Sequence, residues 1–277
     1  MNKKKKTNAK APVEDRSLDD ILEELMEDYE DELEAYEEHN ERMREEALKF
    51  ARISLRLDKN DLKAELIIAE STSTSLMDFM KKLEKLIKKG EKALKNVYHI
   101  EEEDKGAYWD IPETRPYMLV RMRYAEVLAS AGMKRKAVEE LEEILELSQK
   151  DGILARYMLI TLYADLEEYE KAEALYKKFK EETVDMMLPM AFMNFKRQSY
   201  VKSKNLIKKL AKKNKETKKF FEKMIMGDMD LITNGEFSME YVEGSLYEYI
   251  EAFNENVSLY ADGIIFAKYA LSVLEEN

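Results

Sequence analysis

The chain has 277 residues with 8 Gly, 4 Pro, no Cys and a formal net charge of −12. The absence of cysteine excludes a disulfide framework and a thiolate metal site, and the scarcity of Gly and Pro beside abundant Glu, Lys, Leu and Met argues for an all-α protein. The opening M-N-K-K-K-K is not followed by an apolar run, and no stretch approaches 18 consecutive apolar residues. Neither a secretory signal nor a membrane span is expected, and a cytoplasmic location is the default.

The charge is unevenly placed. Residues 1–13 carry five Lys and no acid, whereas residues 14–46 carry 17 acids against Arg16, Arg42 and Arg44. Residues 1–16, polar and without an apolar period, read as a disordered basic tail. A helix is expected from Ser17, a good N-cap, with Asp19 and Asp20 favouring its first turn. Leu18, Ile21, Leu22, Leu25, Met26, Tyr29, Leu33 and Tyr36 form one apolar stripe on it, and the other face is almost solid carboxylate. Residues 17–46 thus read as an acidic amphipathic helix.

Helix continues over 41–58, and Asp58 to Asp61 make a turn. The pattern predicts a first helix over 62–75 and a long second helix over 76–97, a degenerate hairpin with a break near Ser73. Residues 98–116 hold two Pro and one Gly and read as an irregular link carrying the only Trp. Tyr108 and Trp109 are expected to pack against the start of the next helix.

From Pro116 to Ala211 three segments align on the small residue opening a second helix, Ala137, Ala172 and Ser203, at spacings of 35 and 31 residues. Ala125, Ile160 and Ala191 fall at the crossing point of the first helices. Leu141, Tyr176 and Ile207 stand at i+4 and Ile144, Phe179 and Leu210 at i+7 from the small residue, one helical face. Tyr169 and Tyr200 each precede their small residue by three. Gly132 occupies the first turn, where positive φ costs glycine least. Asp185 is expected to cap the third repeat's first helix and so to put Pro189 in its first turn.

This pattern resembles the tetratricopeptide repeat, clearest over 116–215 within an array over 47–226. The resemblance implies an all-α, right-handed αα-superhelix of stacked hairpins, because one hairpin cannot bury its apolar face alone. A second resemblance lies in W-D-I-P-E-T-R-P-Y-M and the A-G-M-K-R-K-A-V-E link after it. Residues 109–179 are similar to the suppressor-of-tumorigenicity-seven family and to related bacterial tetratricopeptide proteins. It implies a defined junction at Trp109, Glu113, Thr114, Arg115 and Tyr117 leading into the repeats, with Pro116 able to sit at N1.

After a break at Gly227 and Asn234-Gly235, an aromatic tail over 236–277 reads as a capping hairpin of helices near 239–255 and 257–275. No catalytic set is visible: His39 and His99 lack partners at metal-ligand spacing and no Gly-rich phosphate loop occurs. No cofactor is expected, and Met186, Met187, Met190 and Met193 read as adaptable core.

The expected role is a non-enzymatic scaffold. Met122, Glu126, Tyr157, Thr161, Phe192 and Phe195 would line a concave groove that accepts a protein or peptide. The alternative is a structural, self-associating protein, a homo-oligomer among its forms, whose acidic helix docks on the Lys-rich helices 81–95 and 202–219 in cis or in trans. Those lysines also raise a nucleic-acid-associated factor; the overall acidity and the missing reader motif argue against it.

Overall fold

Helix dominates the computed structural model, which describes residues 39–227, 244–254, 257–260 and 263–276. The basic tail and most of the acidic helix expected before residue 39 lie outside the described residues, as does the start of the expected C-terminal hairpin. The chain divides into two units between Thr72 and Ser73.

In the N-terminal unit, residues 39–57 form helix α1, and Leu62–Thr72 form α2. The turn between them falls on Asp58–Asp61, as its composition predicts. Asp61 caps α2: its carboxylate accepts from the Ala64 backbone N–H at 3.0 Å and from the Ser54 hydroxyl at 2.5 Å. Ala51, Leu62, Ala64 and Ala69 are buried.

The C-terminal unit opens with α3, Leu76–Asn96, whose cap Ser75 accepts from the Asp78 N–H. Phe79, Leu83, Leu86, Gly90 and Leu94 bury one face of α3 at three- and four-residue steps. Six helices follow as three hairpins: α4 (Arg115–Ser130) with α5 (Lys134–Leu147), α6 (Ala155–Asp165) with α7 (Tyr169–Phe179), and α8 (Val184–Lys196) with α9 (Tyr200–Lys213). Each helix packs on the next in the chain, and α6 also packs on α8.

The three turns are built alike. Gly132, Glu167 and Gln198 all adopt left-handed φ, at 75°, 60° and 60°. Just after them, Met133 N–H donates to Leu128 O, Glu168 N–H to Tyr163 O, and Ser199 N–H to Asn194 O, at 2.8–2.9 Å. This is the six-to-one bond of a Schellman turn, repeated at the offsets of 35 and 31 residues that align the sequence. The small residues behave accordingly: Ala125, Ile160, Ala191, Ala137, Ala172 and Ser203 are all fully buried. In the third hairpin the crossing is a direct contact, Ser203 Oγ donating to Ala191 O at 2.8 Å.

Two local expectations are corrected. Thr183, not Asp185, caps α8, its hydroxyl accepting from Met186 N–H. Pro189 therefore lies in the second turn, at the sixth helical residue, where it cannot donate to the Asp185 carbonyl. The packing of α8, nearly every residue of which is buried, outweighs that lost bond. Met186, Met187, Met190 and Met193 sit in this core.

Helix α10 (Thr217–Met226) ends at Gly227, with φ 65°. The tail holds three described helices rather than the expected two: α11 (Leu246–Asn254), α12 (Val257–Tyr260) and α13 (Ile264–Glu275). α13 packs on α9 and α10, α11 on α8 and α10, and α12 on α6. The tail thus covers the last hairpin and also reaches the first helices of the second and third.

Candidate partner-binding face

The six side chains assigned to a groove come from the first helix of each hairpin. Glu126, Thr161 and Phe192 occupy one repeat position, 35 and 31 residues apart, and Met122 and Tyr157 another. On α4, Met122 is half-buried, and Glu126 is half-exposed and pairs with Arg123 at 2.8 Å. On α6, Thr161 is buried and donates to its own helix at Tyr157 O. Tyr157 is half-buried; its hydroxyl meets Glu181 at 3.1 Å and Arg156 Nη2 at 3.0 Å, and the Arg156 guanidinium lies 4.4 Å from its ring centre.

The α8 end is already filled by the chain itself. Phe192 packs against Phe266 and Tyr260, with ring centres 4.8 and 5.8 Å away. Phe195 packs against Tyr269 at 4.9 Å and Phe266 at 5.6 Å. The aromatic content of the tail was visible in the sequence, but its pairing with these two rings was not. Helix spacing shows which side chains share a face and says nothing about which distant segment covers it.

Two polar groups near that cover have surroundings that the sequence does not show. Asp185, in the first turn of α8, is pushed up to about 6 by burial, with Glu251 and Glu248 of α11 adding to the rise and Arg156 opposing it. Tyr260 Oη is buried and, among the described residues, has no hydrogen-bond partner. Desolvation raises its ionisation well above the usual tyrosine range. The charge of half-buried Asp185 adds to the rise at Tyr260, so the two lie near one another.

The junction residues do come together, as a folded wedge ahead of α4. Three 3₁₀ turns, Glu102–Asp104, Tyr108–Asp110 and Pro112–Thr114, replace the expected irregular link. Buried Thr114 donates its hydroxyl to Tyr108 O and to Ile111 O. Arg115 Nε donates to Trp109 O at 2.8 Å, and its guanidinium lies 5.7 Å from the indole centre. Pro116 takes the second helical position of α4, and Glu113 is exposed. The link is tied at its other side to the end of α5, Gly106 N–H donating to Leu147 O and Gln149 N–H to Gly106 O.

Tyr117 is buried, its hydroxyl 3.2 Å from Arg121 Nη1. Arg121 is 3% exposed, with Glu140 and Glu143 closing on it as a forked ion pair. Beside them opens a cavity of about 400 Å³, lined in part by Glu91, Lys95, Lys105, Tyr117, Arg121 and Glu143. Its charged lining is of both signs, and Arg121 is already paired with two carboxylates.

No three metal-ligating side chains cluster among the described residues, and no described helix is long and apolar enough to cross a membrane. On basic α9, Lys202, Lys204 and Lys209 already pair with Glu173, Glu276 and Glu182. No family model, no curated protein and no solved structure matches this chain.

Proposed function

We propose that the protein is a non-enzymatic scaffold of tetratricopeptide-like hairpins, wound as a right-handed superhelix, that holds a protein or peptide partner along its row of first helices. The observation that carries this reading is the recurrence of one turn, bond for bond, at Leu128/Met133, Tyr163/Glu168 and Asn194/Ser199. Hairpins in register repeat the same side-chain positions along one face, which is how such arrays present a binding surface. The partner would meet Met122 and Glu126 on α4 and Tyr157 on α6, because Phe192 and Phe195 are taken by the tail. On this part of the array the buried Arg121 and Arg156 are each paired with carboxylates.

The experiment is affinity capture from the native cell with wild-type protein beside a Met122→Glu/Tyr157→Ala variant. A partner retained by the wild type and lost from the folded variant supports the assignment. A partner bound equally by both removes these residues from it.

A further inference from the structure

Helix α1 carries two apolar faces and packs only one of them. Ala51 is buried and Leu48 and Leu55 are half-buried on the inner face. On the far side Met43, Phe50, Ile53 and Leu57 are 54, 67, 44 and 86% exposed. Single exposed apolar residues are ordinary. Four large ones in one row form a surface that needs a cover.

The spacing indicates that the cover is a helix. Met43, Glu46, Phe50, Ile53 and Leu57 alternate steps of three and four and are all exposed. This is the period of a seam between two helices, and it runs for about 21 Å along α1 at 1.5 Å per residue. A second helix with apolar residues at the same alternation matches it along its whole length.

Charge gives the rest of that helix's chemistry. Arg42, Lys49 and Arg56 recur at steps of seven along one edge of the row, and all three are exposed. No ion pair among the described residues engages Lys49 or Arg56. Glu46 stands four residues after Arg42 and three before Lys49, one acid within a turn of two bases, so the edge stays basic. The other edge holds Ala47 and half-buried Ser54, whose hydroxyl is already given to Asp61. A covering helix therefore gains from carboxylates at the positions that flank its apolar row. A second copy of α1 does not supply them. Paired antiparallel it sets the basic edge against itself, and paired parallel it sets that edge against Ala47 and Ser54.

We propose that the exposed face of α1 is a docking site for an acidic amphipathic helix of a partner protein, with apolar residues on Met43, Phe50, Ile53 and Leu57 and carboxylates beside Lys49 and Arg56. The site uses only residues of the N-terminal unit, and the scaffold reading rests on the C-terminal one, so either assignment can fail alone.

Two fluorescent synthetic peptides, titrated with the full chain, test it. Both are coiled-coil sequences of about four heptads with Leu at a and d. One carries Glu at e and g, the other Lys. The Glu peptide is expected to bind at least about tenfold more tightly than the Lys peptide. Its binding should weaken with salt, as the screening length falls from about 10 Å at 0.1 M to about 3 Å at 1 M. Phe50→Glu/Leu57→Glu should weaken it at least about tenfold, because carboxylates would have to be buried in an apolar seam. Lys49→Glu/Arg56→Glu should transfer the preference to the Lys peptide, which an unselective apolar patch would not do. All four sites are exposed, so the circular dichroism and thermal midpoint of both variants should stay as in the wild type. Binding of neither peptide, equal binding of both, an unchanged preference in the charge-reversed variant, or a wild-type homodimer that Phe50→Glu/Leu57→Glu dissociates would each overturn the proposal.

Discussion

The indole of Trp109 lies so close over Gly152 that a β-carbon added there would fall 1.9 Å from Cδ1. One residue belongs to the link before α4 and the other to the link before α6, so this contact pins two successive connections together. Gly152→Ala should expel the ring and cost about 1–3 kcal/mol, the usual range for overpacking. Because Trp109 is the only tryptophan, its emission should shift to the red in the folded variant, and urea unfolding gives the energy. Wild-type emission with wild-type stability would disprove the contact.

The repeated turns make a prediction of the opposite sign. Glu167 and Gln198 hold φ of 60° where Gly132 holds 75°. A side chain in this region costs roughly 1 kcal/mol relative to glycine. Glu167→Gly and Gln198→Gly should each stabilise the chain by about 0.5–1 kcal/mol, read as a higher denaturant midpoint with unchanged slope. Gly132→Ala should destabilise by a similar amount.

Asp185 makes stability depend on pH. Its folded pKa of about 6 lies above the ordinary 3.8, so the folded chain holds this proton more tightly than the unfolded one. The contribution is complete below about pH 4 and is lost as pH rises through about 6. Asp185→Asn keeps the side chain neutral and should be more stable than the wild type at pH 7, by up to about 3 kcal/mol. At pH 4 the two should converge. Thermal melts at both values check this, and an advantage for Asn at pH 4 equal to that at pH 7 would refute it.

Tyr260 is predicted to tolerate loss of its hydroxyl. A buried polar group without a partner costs about 1–3 kcal/mol, so Tyr260→Phe should stabilise by about 1 kcal/mol while keeping the ring stack on Phe253 at 5.6 Å. A clear loss of stability would mean that the hydroxyl is bonded in solution.

Much of the repeat was legible because its signals are local. Small residues at the helix crossings, apolar steps of four and seven after them, and Gly132 at a turn each follow from the geometry of a single hairpin. Glu167 and Gln198 were silent, since a left-handed backbone at a residue other than glycine leaves no mark in composition. The Asp185 cap failed for a related reason. Thr183 and Asp185 are both capping residues, and only the chain's path out of α7, with Lys180 at φ 54°, selects the first. On the candidate face, spacing identified residues that share a position and could not show which of them a distant segment covers.

The tail's hold on Phe192 and Phe195 sets terms for anything that would dock there. A tethered segment competes at an effective concentration in the millimolar range, so a rival for those rings must outbid a neighbour that never diffuses away. The tail's aromatic rings do not cover Met122 and Glu126 on α4, although α12 of the tail packs on α6. Were the proposed partner to bind along the first helices, the aromatic contacts of the tail would make the last hairpin the hardest place to enter and α4 the easiest.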